Sequence, residues 1–127
     1  MKIELFTLCN FAANNNGKLT IVDTIDCFIA EKFPWRAYFG LALKLDLGSD
    51  IKQPDKDSRF SICLFKEGED EKLFTAETDL NMTKDDKVVL AANIKGLIFK
   101  SPGTYHFYLK LGESLLEDYS FEVKENK

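Results

Sequence analysis

The sequence contains one histidine, one tryptophan, three prolines and three cysteines in 127 residues. A single histidine excludes any site that needs two, such as a histidine-rich zinc site or a paired-histidine relay. Cys9, Cys27 and Cys63 are odd in number, widely spaced and lack a Cys-x-x-Cys pair. They read as free thiols within strands in a reducing compartment, not as a disulfide framework or a redox or metal motif. No apolar run approaches the roughly 18 residues of a membrane helix. In the opening segment Met1 to Asn10, Glu4 and Thr7 interrupt the apolar stretch, so no secretory leader is expected, and the expected location is cytoplasmic. An excess of basic charge is also missing: Lys and Arg total 17 against 21 Asp and Glu, for a net charge of −4. Without a basic stripe to meet a phosphate backbone, no nucleic-acid partner is expected, and no membrane partner either. There is no glycine-rich phosphate loop, nucleophile elbow or Walker-type motif. The chain therefore reads as a non-enzyme without a cofactor.

Hydrophobic residues make up 45% of the chain and aromatics 13%, eleven of them Phe. That composition argues against disorder, and a chain of this length buries roughly two thirds of its unfolded surface, enough for one domain spanning residues 1–127. Alternation of period two dominates. Ile3, Leu5, Thr7 and Cys9 share one face of a first strand, and Glu4, Phe6 and Leu8 the other. Asn16-Gly17 marks a tight turn, with one helical turn at Phe11-Ala12-Ala13 as an option before it. A second strand is expected from Leu19 to Phe28. Pro34 interrupts the pattern, and a third strand follows from Arg36 to Leu47. Further strands are expected at Phe60–Phe65, Leu73–Thr78, Val88–Phe99 with a bulge at Gly96, Tyr105–Leu111 and Tyr119–Val123. Only Asn81–Ala92 leaves room for a short helix. Short links between strands imply antiparallel pairing, and one apolar face per strand needs a second sheet to cover it. The expected fold is all-β: a two-sheet antiparallel β-sandwich of immunoglobulin-like general shape with about eight strands. The Cys…Trp…Cys spacing of antibody domains is absent.

Few residues carry candidate chemistry. Tyr105, entering a late strand after Pro102-Gly103, fits a tyrosine corner, with its ring in the core and its hydroxyl on nearby backbone. His106 is the one side chain that ordinarily titrates near neutrality; alternation places it facing outward and solvated. A hydrolase built on it would need a Ser or Cys and an acid alongside. Asp46, Asp50, Asp55 and Asp57 crowd one connection, and Asp79, Asp85 and Asp86 another. Calcium or another small ligand held by these acidic loops is the alternative function, opposed by the interspersed Lys52, Lys56, Arg59, Lys84 and Lys87. Phe33 and Trp35 beside Pro34 either anchor a partner or plug the open end of the sandwich. Phe28 and Phe65 fall on the second face of their strands. Phe28, Phe33, Trp35 and Phe65 are thus the candidate interaction residues, for a protein partner or a second copy of the chain.

Met1 to Ala12, followed by Gly17-Lys18-Leu19-Thr20-Ile21-Val22-Asp23, then Phe33-Pro34, Asn93-x-x-Gly96-Leu97-x-Phe99 and Pro102-Gly103-x-Tyr105, resembles a family of small bacterial proteins built around a domain of unknown function. The likeness spans nearly the whole chain. It implies a bacterial, cytoplasmic, all-β sandwich and supplies no catalytic residue. Such proteins usually carry glycine where this chain has Asp23, which bears on whether a glycine-dependent bulge forms there.

Overall fold

A computed structural model describes residues 2–46, 59–79 and 87–126. They form nine strands: β1 (Lys2–Asn15), β2 (Lys18–Ile25), β3 (Cys27–Ala30), β4 (Trp35–Asp46), β5 (Arg59–Lys66), β6 (Phe74–Asp79), β7 (Lys87–Phe99), β8 (Gly103–Leu111) and β9 (Ser114–Glu125). A four-stranded sheet has the order β2-β1-β4-β7 and a five-stranded sheet the order β3-β9-β8-β5-β6. This is the expected two-sheet sandwich of immunoglobulin-like general shape. No helix long and apolar enough to cross a membrane occurs among the described residues.

Two expectations need correction. The stretch from Leu19 to Phe28 is not one strand. The chain bends at Asp26, and β3 leaves the first sheet to join the second, which raises the strand number to nine. In its new place β3 runs parallel to β9, with Phe28 opposite Val123, while the other strand pairs among the described residues are antiparallel. The bend also resets the alternation: Phe28 turns inward and is only 7% exposed. The helical turn at Phe11 to Ala13 does not form either, because β1 continues through it to pair with β2 as far as Asn15. Strand β7 takes residues 87–92 in the stretch left open for a helix; residues 81–86 lie outside those described.

Other local readings hold. Asn16 and Gly17 both take positive φ in the β1–β2 turn, and the Asn14 side chain accepts a hydrogen bond from the Gly17 amide. Gly96 has φ +85° where the β4–β7 register slips between Ala37 and Tyr38. Asp23 occupies the left-handed region at φ +53° with its carboxylate 3.2 Å from Asn10 Nδ2. Aspartate tolerates that conformation better than most residues, and the β1–β2 register runs past it without a bulge.

The main core lies between the sheets. Phe39, Phe60, Phe99, Tyr105, Phe107 and Phe121 are all buried, with Leu8, Leu43, Leu45, Leu64 and Leu109 around them. Tyr105 is a tyrosine corner: its ring is buried, and its hydroxyl donates to the Ser101 carbonyl at 2.6 Å. A second, smaller cluster covers the outer side of the four-stranded sheet, where Cys9, Ala12 and Ala42 pack with Leu19, Ile21 and Ala91. There the far half of the β1–β2 hairpin lies back over its own sheet. Asn93 on β7 holds it: Asn93 Oδ1 accepts from the Ala12 amide at 3.0 Å, and Nδ2 donates to the Ala12 carbonyl at 2.8 Å. This clasp crosses β4 at Gly40, where a Cβ would stand 2.9 Å from Asn93 Oδ1 and 3.0 Å from both the Ala12 nitrogen and Cys9 Sγ.

Replacing Phe28 with Ala is expected to lower the unfolding free energy by about 3–5 kcal/mol in urea denaturation, the cost of emptying a ring site in a packed core. Gly40→Ala is expected to cost about 2 kcal/mol by overpacking, because the new methyl group would meet the Asn93 amide held in the clasp, the Ala12 backbone and a buried thiol.

Candidate functional site

The covering hairpin leaves the two outer faces unlike each other. On the five-stranded sheet, alternation along β8 sends Tyr105, Phe107 and Leu109 inward and His106, Tyr108 and Lys110 outward. Register sets Phe65 of β5 opposite His106, and Asp118 of β9 opposite Tyr108. The rings form a ladder: His106 stacks on Tyr108 at 5.8 Å and 17°, and Tyr108 packs on Phe65 at 5.5 Å. The β5–β6 turn then rises over this ladder. Its Glu67 amide donates to the Thr104 carbonyl of β8 at 2.9 Å, which brings the Glu67 side chain to the histidine.

His106 Nδ1 lies 2.7 Å from Asp118 Oδ1, reached diagonally across the strands, and Nε2 lies 3.2 Å from Glu67 Oε1. The imidazole is only 15% exposed. So it faces outward as expected, but the expected solvated histidine is overturned: two carboxylates and a tyrosine ring take the place of water. Burial pulls the His106 pKa down, but the hydrogen bonds and charges of Asp118 and Glu67 outweigh it and hold the pKa above the ordinary 6.5. Beside the histidine, Phe65, Glu67, Asp70, Tyr108 and Lys110 enclose a surface recess of about 550 Å³. Lys66 borders it with its ammonium held by Ser101 Oγ at 2.6 Å.

The four candidate interaction residues separate clearly. Phe28 is core, in contact with the rings of Trp35, Phe39, Phe99 and Phe121 at 5.1–6.2 Å, and its inward turn removes it from any surface site. Trp35 stacks on Phe99 at 5.7 Å, and both Trp35 and Phe33 pack against the main core half-buried, the position of a plug. Phe65 alone lines the recess. Sequence reading missed Glu67 and Asp118 as partners of His106. They lie 39 and 12 residues away, and only the strand register and the turn bring them in.

A catalytic base needs a nucleophile on its free nitrogen. Here Glu67 occupies Nε2 and Asp118 occupies Nδ1, and no hydroxyl or thiol is bonded to the ring among the described residues. No group of three or more His, Cys, Asp or Glu converges to hold a metal ion among them. Of the loop acids, Asp50, Asp55, Asp57, Asp85 and Asp86 lie outside the described residues. A second, smaller cavity of about 120 Å³ sits between the sheets beside β6 and β7; Leu41, Leu43, Phe60, Ile62, Phe74 and Leu90 contribute apolar walls.

Residues 4–124 match the model of a family of unknown function (DUF6941), and the chain belongs to that family. No curated protein sequence matches it.

The raised pKa of His106 fixes the sign of a pH effect. A histidine of this kind adds stability that is complete below its unfolded value near 6.5 and is lost as pH rises through the folded value. The stability lost in His106→Gln, measured by urea denaturation, is therefore expected to be larger at pH 5.5 than at pH 8.5.

Proposed function

We propose that the protein is a non-enzymatic binding module that engages a protein partner through the outer face of its five-stranded sheet. One observation carries this reading: Phe65 and Tyr108 lie half-buried on an outward face, as the apolar floor of a recess with charged walls. An apolar centre inside a polar rim is the anatomy of a protein-binding surface, and tyrosine is favoured at its energetic centre. On the opposite sheet the hairpin occupies part of the outer side, and Phe11, Val22, Tyr38 and Ile98 stand exposed on its strands, so the reading rests on the recess and not on apolar exposure alone. The filling of both histidine nitrogens by carboxylates supports binding over catalysis. Three free thiols, two of them buried, suit a reducing cytoplasm, and the resemblance noted above suits a bacterial source.

The test is differential capture from the native host. Bait proteins are wild type, Phe65→Ser/Tyr108→Ser, and a control pair on the opposite side, Phe11→Ser/Val22→Ser. Phe11 and Val22 are 49% and 43% exposed, so the control alters apolar surface that is more open to solvent than Phe65 and Tyr108. Proteins held by wild type and control but lost from the recess variant, and then rebound as purified components, support the reading. Equal capture by all three baits overturns it.

A further inference from the structure

His106 joins three parts of the fold at one point. It stands on β8, its Nδ1 faces Asp118 of β9 and its Nε2 faces Glu67 at the tip of the β5–β6 turn. A carboxylate oxygen only accepts hydrogen bonds, so each of these contacts requires a proton on the nitrogen it meets. Both exist together only in the imidazolium. A neutral ring has one N–H and must give up one contact, leaving a nitrogen lone pair against a carboxylate. The geometry says which one yields. The bond to Asp118 is short, at 2.7 Å, while that to Glu67 is 3.2 Å and its side chain is 65% exposed.

We propose that His106 is a proton-operated latch on the recess: the imidazolium ties the Glu67 carboxylate to the sheet, and the neutral ring releases it while keeping Asp118. Deprotonation changes the recess by one charge and frees a carboxylate at its wall. The backbone does not follow far, because the Glu67 amide stays bonded to Thr104, the Glu69 amide to the Lys66 carbonyl and the Leu73 amide to the Leu64 carbonyl. The moving part is a side chain under a fixed turn.

The other charged and titratable groups around the ring leave this assignment in place. From β5, Lys66 is held by Ser101. The turn adds Glu69 and Asp70, and β8 adds Lys110 and the Tyr108 ring on which the imidazole stacks. Further along β9, Glu122 is taken up by Lys124 at 4.0 Å. Among the described residues, only Glu67 and Asp118 bond the ring. The latch is a property of the chain alone and stands whether or not a partner binds the recess.

The test is NMR on the full chain, where the one histidine gives a single imidazole signal. The Hε1 shift is followed against pH, with ¹⁵N shifts for the tautomer and the Glu67 carboxyl ¹³C shift for the latch. Wild type is expected to show an imidazole midpoint above 6.5, a neutral ring protonated at Nδ1, and Glu67 carboxyl and 68–73 amide shifts that share the imidazole midpoint. Glu67→Gln is expected to lower the midpoint and flatten the amide shifts. Asp118→Asn is expected to lower the midpoint further and to let the Nε2–H tautomer appear. Both variants alter exposed carboxylates, so both are expected to keep the wild-type far-UV circular dichroism. A wild-type midpoint at or below 6.5, a neutral ring protonated at Nε2, or Glu67 and turn shifts that stay flat through the imidazole titration would each overturn the latch.

Discussion

The ring of Phe28 holds the two sheets to each other. It sits on β3, which the bend at Asp26 carries out of the first sheet into the second, and it touches Trp35 and Phe39 of β4, Phe99 of β7 and Phe121 of β9. Four rings from both layers thus meet on a side chain carried by a strand of only four residues. A strand that short cannot hold its place by backbone pairing alone. Burial of the ring, worth about 1.5–3 kcal/mol, anchors it, and the parallel ladder to β9 follows. Once β3 is anchored, the second sheet has five strands, and its outer face is the broader of the two.

The first sheet meets the opposite demand. Its β1–β2 hairpin is too long to be used up by pairing with β4, which ends at Cys9 and Gly40. The excess lies back over the outer side, and two groups make this feasible. Gly40 has no side chain to obstruct the crossing, and the Asn93 amide offers Ala12 the donor and acceptor that a neighbouring strand would have supplied. The sheet covers itself with alanine, leucine and isoleucine. The other face has no such cover, and there histidine, tyrosine and phenylalanine line up half-buried. The asymmetry of the sandwich therefore comes from where surplus strand goes.

Much of this was legible in the chain because it is local. Alternation shows which side of a strand faces inward, Asn16-Gly17 and Gly96 show where the backbone turns or bulges, and Pro102-Gly103-x-Tyr105 shows the corner. All of these act over a few residues. The side on which Phe28 lies depends on a bend at Asp26 that no residue there forces; the ring cluster that rewards the bend is assembled from β4, β7 and β9. For His106, alternation gives the face but not the surroundings, for the same reason. Its proton is held by residues on another strand and on a distant turn, and neither carboxylate is distinguished in sequence from the other nineteen acidic residues. Local signals fix strands and turns, while the site arises from register, which is set by the sum of all pairings.

Membership of the family bears on these two levels differently. Gly17, Asn93, Gly96 and Tyr105, which carry the resemblance, serve the hairpin turn, the clasp over Gly40, the β7 bulge and the corner. Each is a demand of the backbone. None of them is Phe65, Glu67, His106, Tyr108 or Asp118. The shared pattern therefore describes a way of closing a sandwich, and it transfers shape without transferring a task. What the chain does has to be argued from the outer face of the five-stranded sheet. There the scaffold leaves side chains free of packing duty, and one imidazole between two carboxylates makes that face respond to pH.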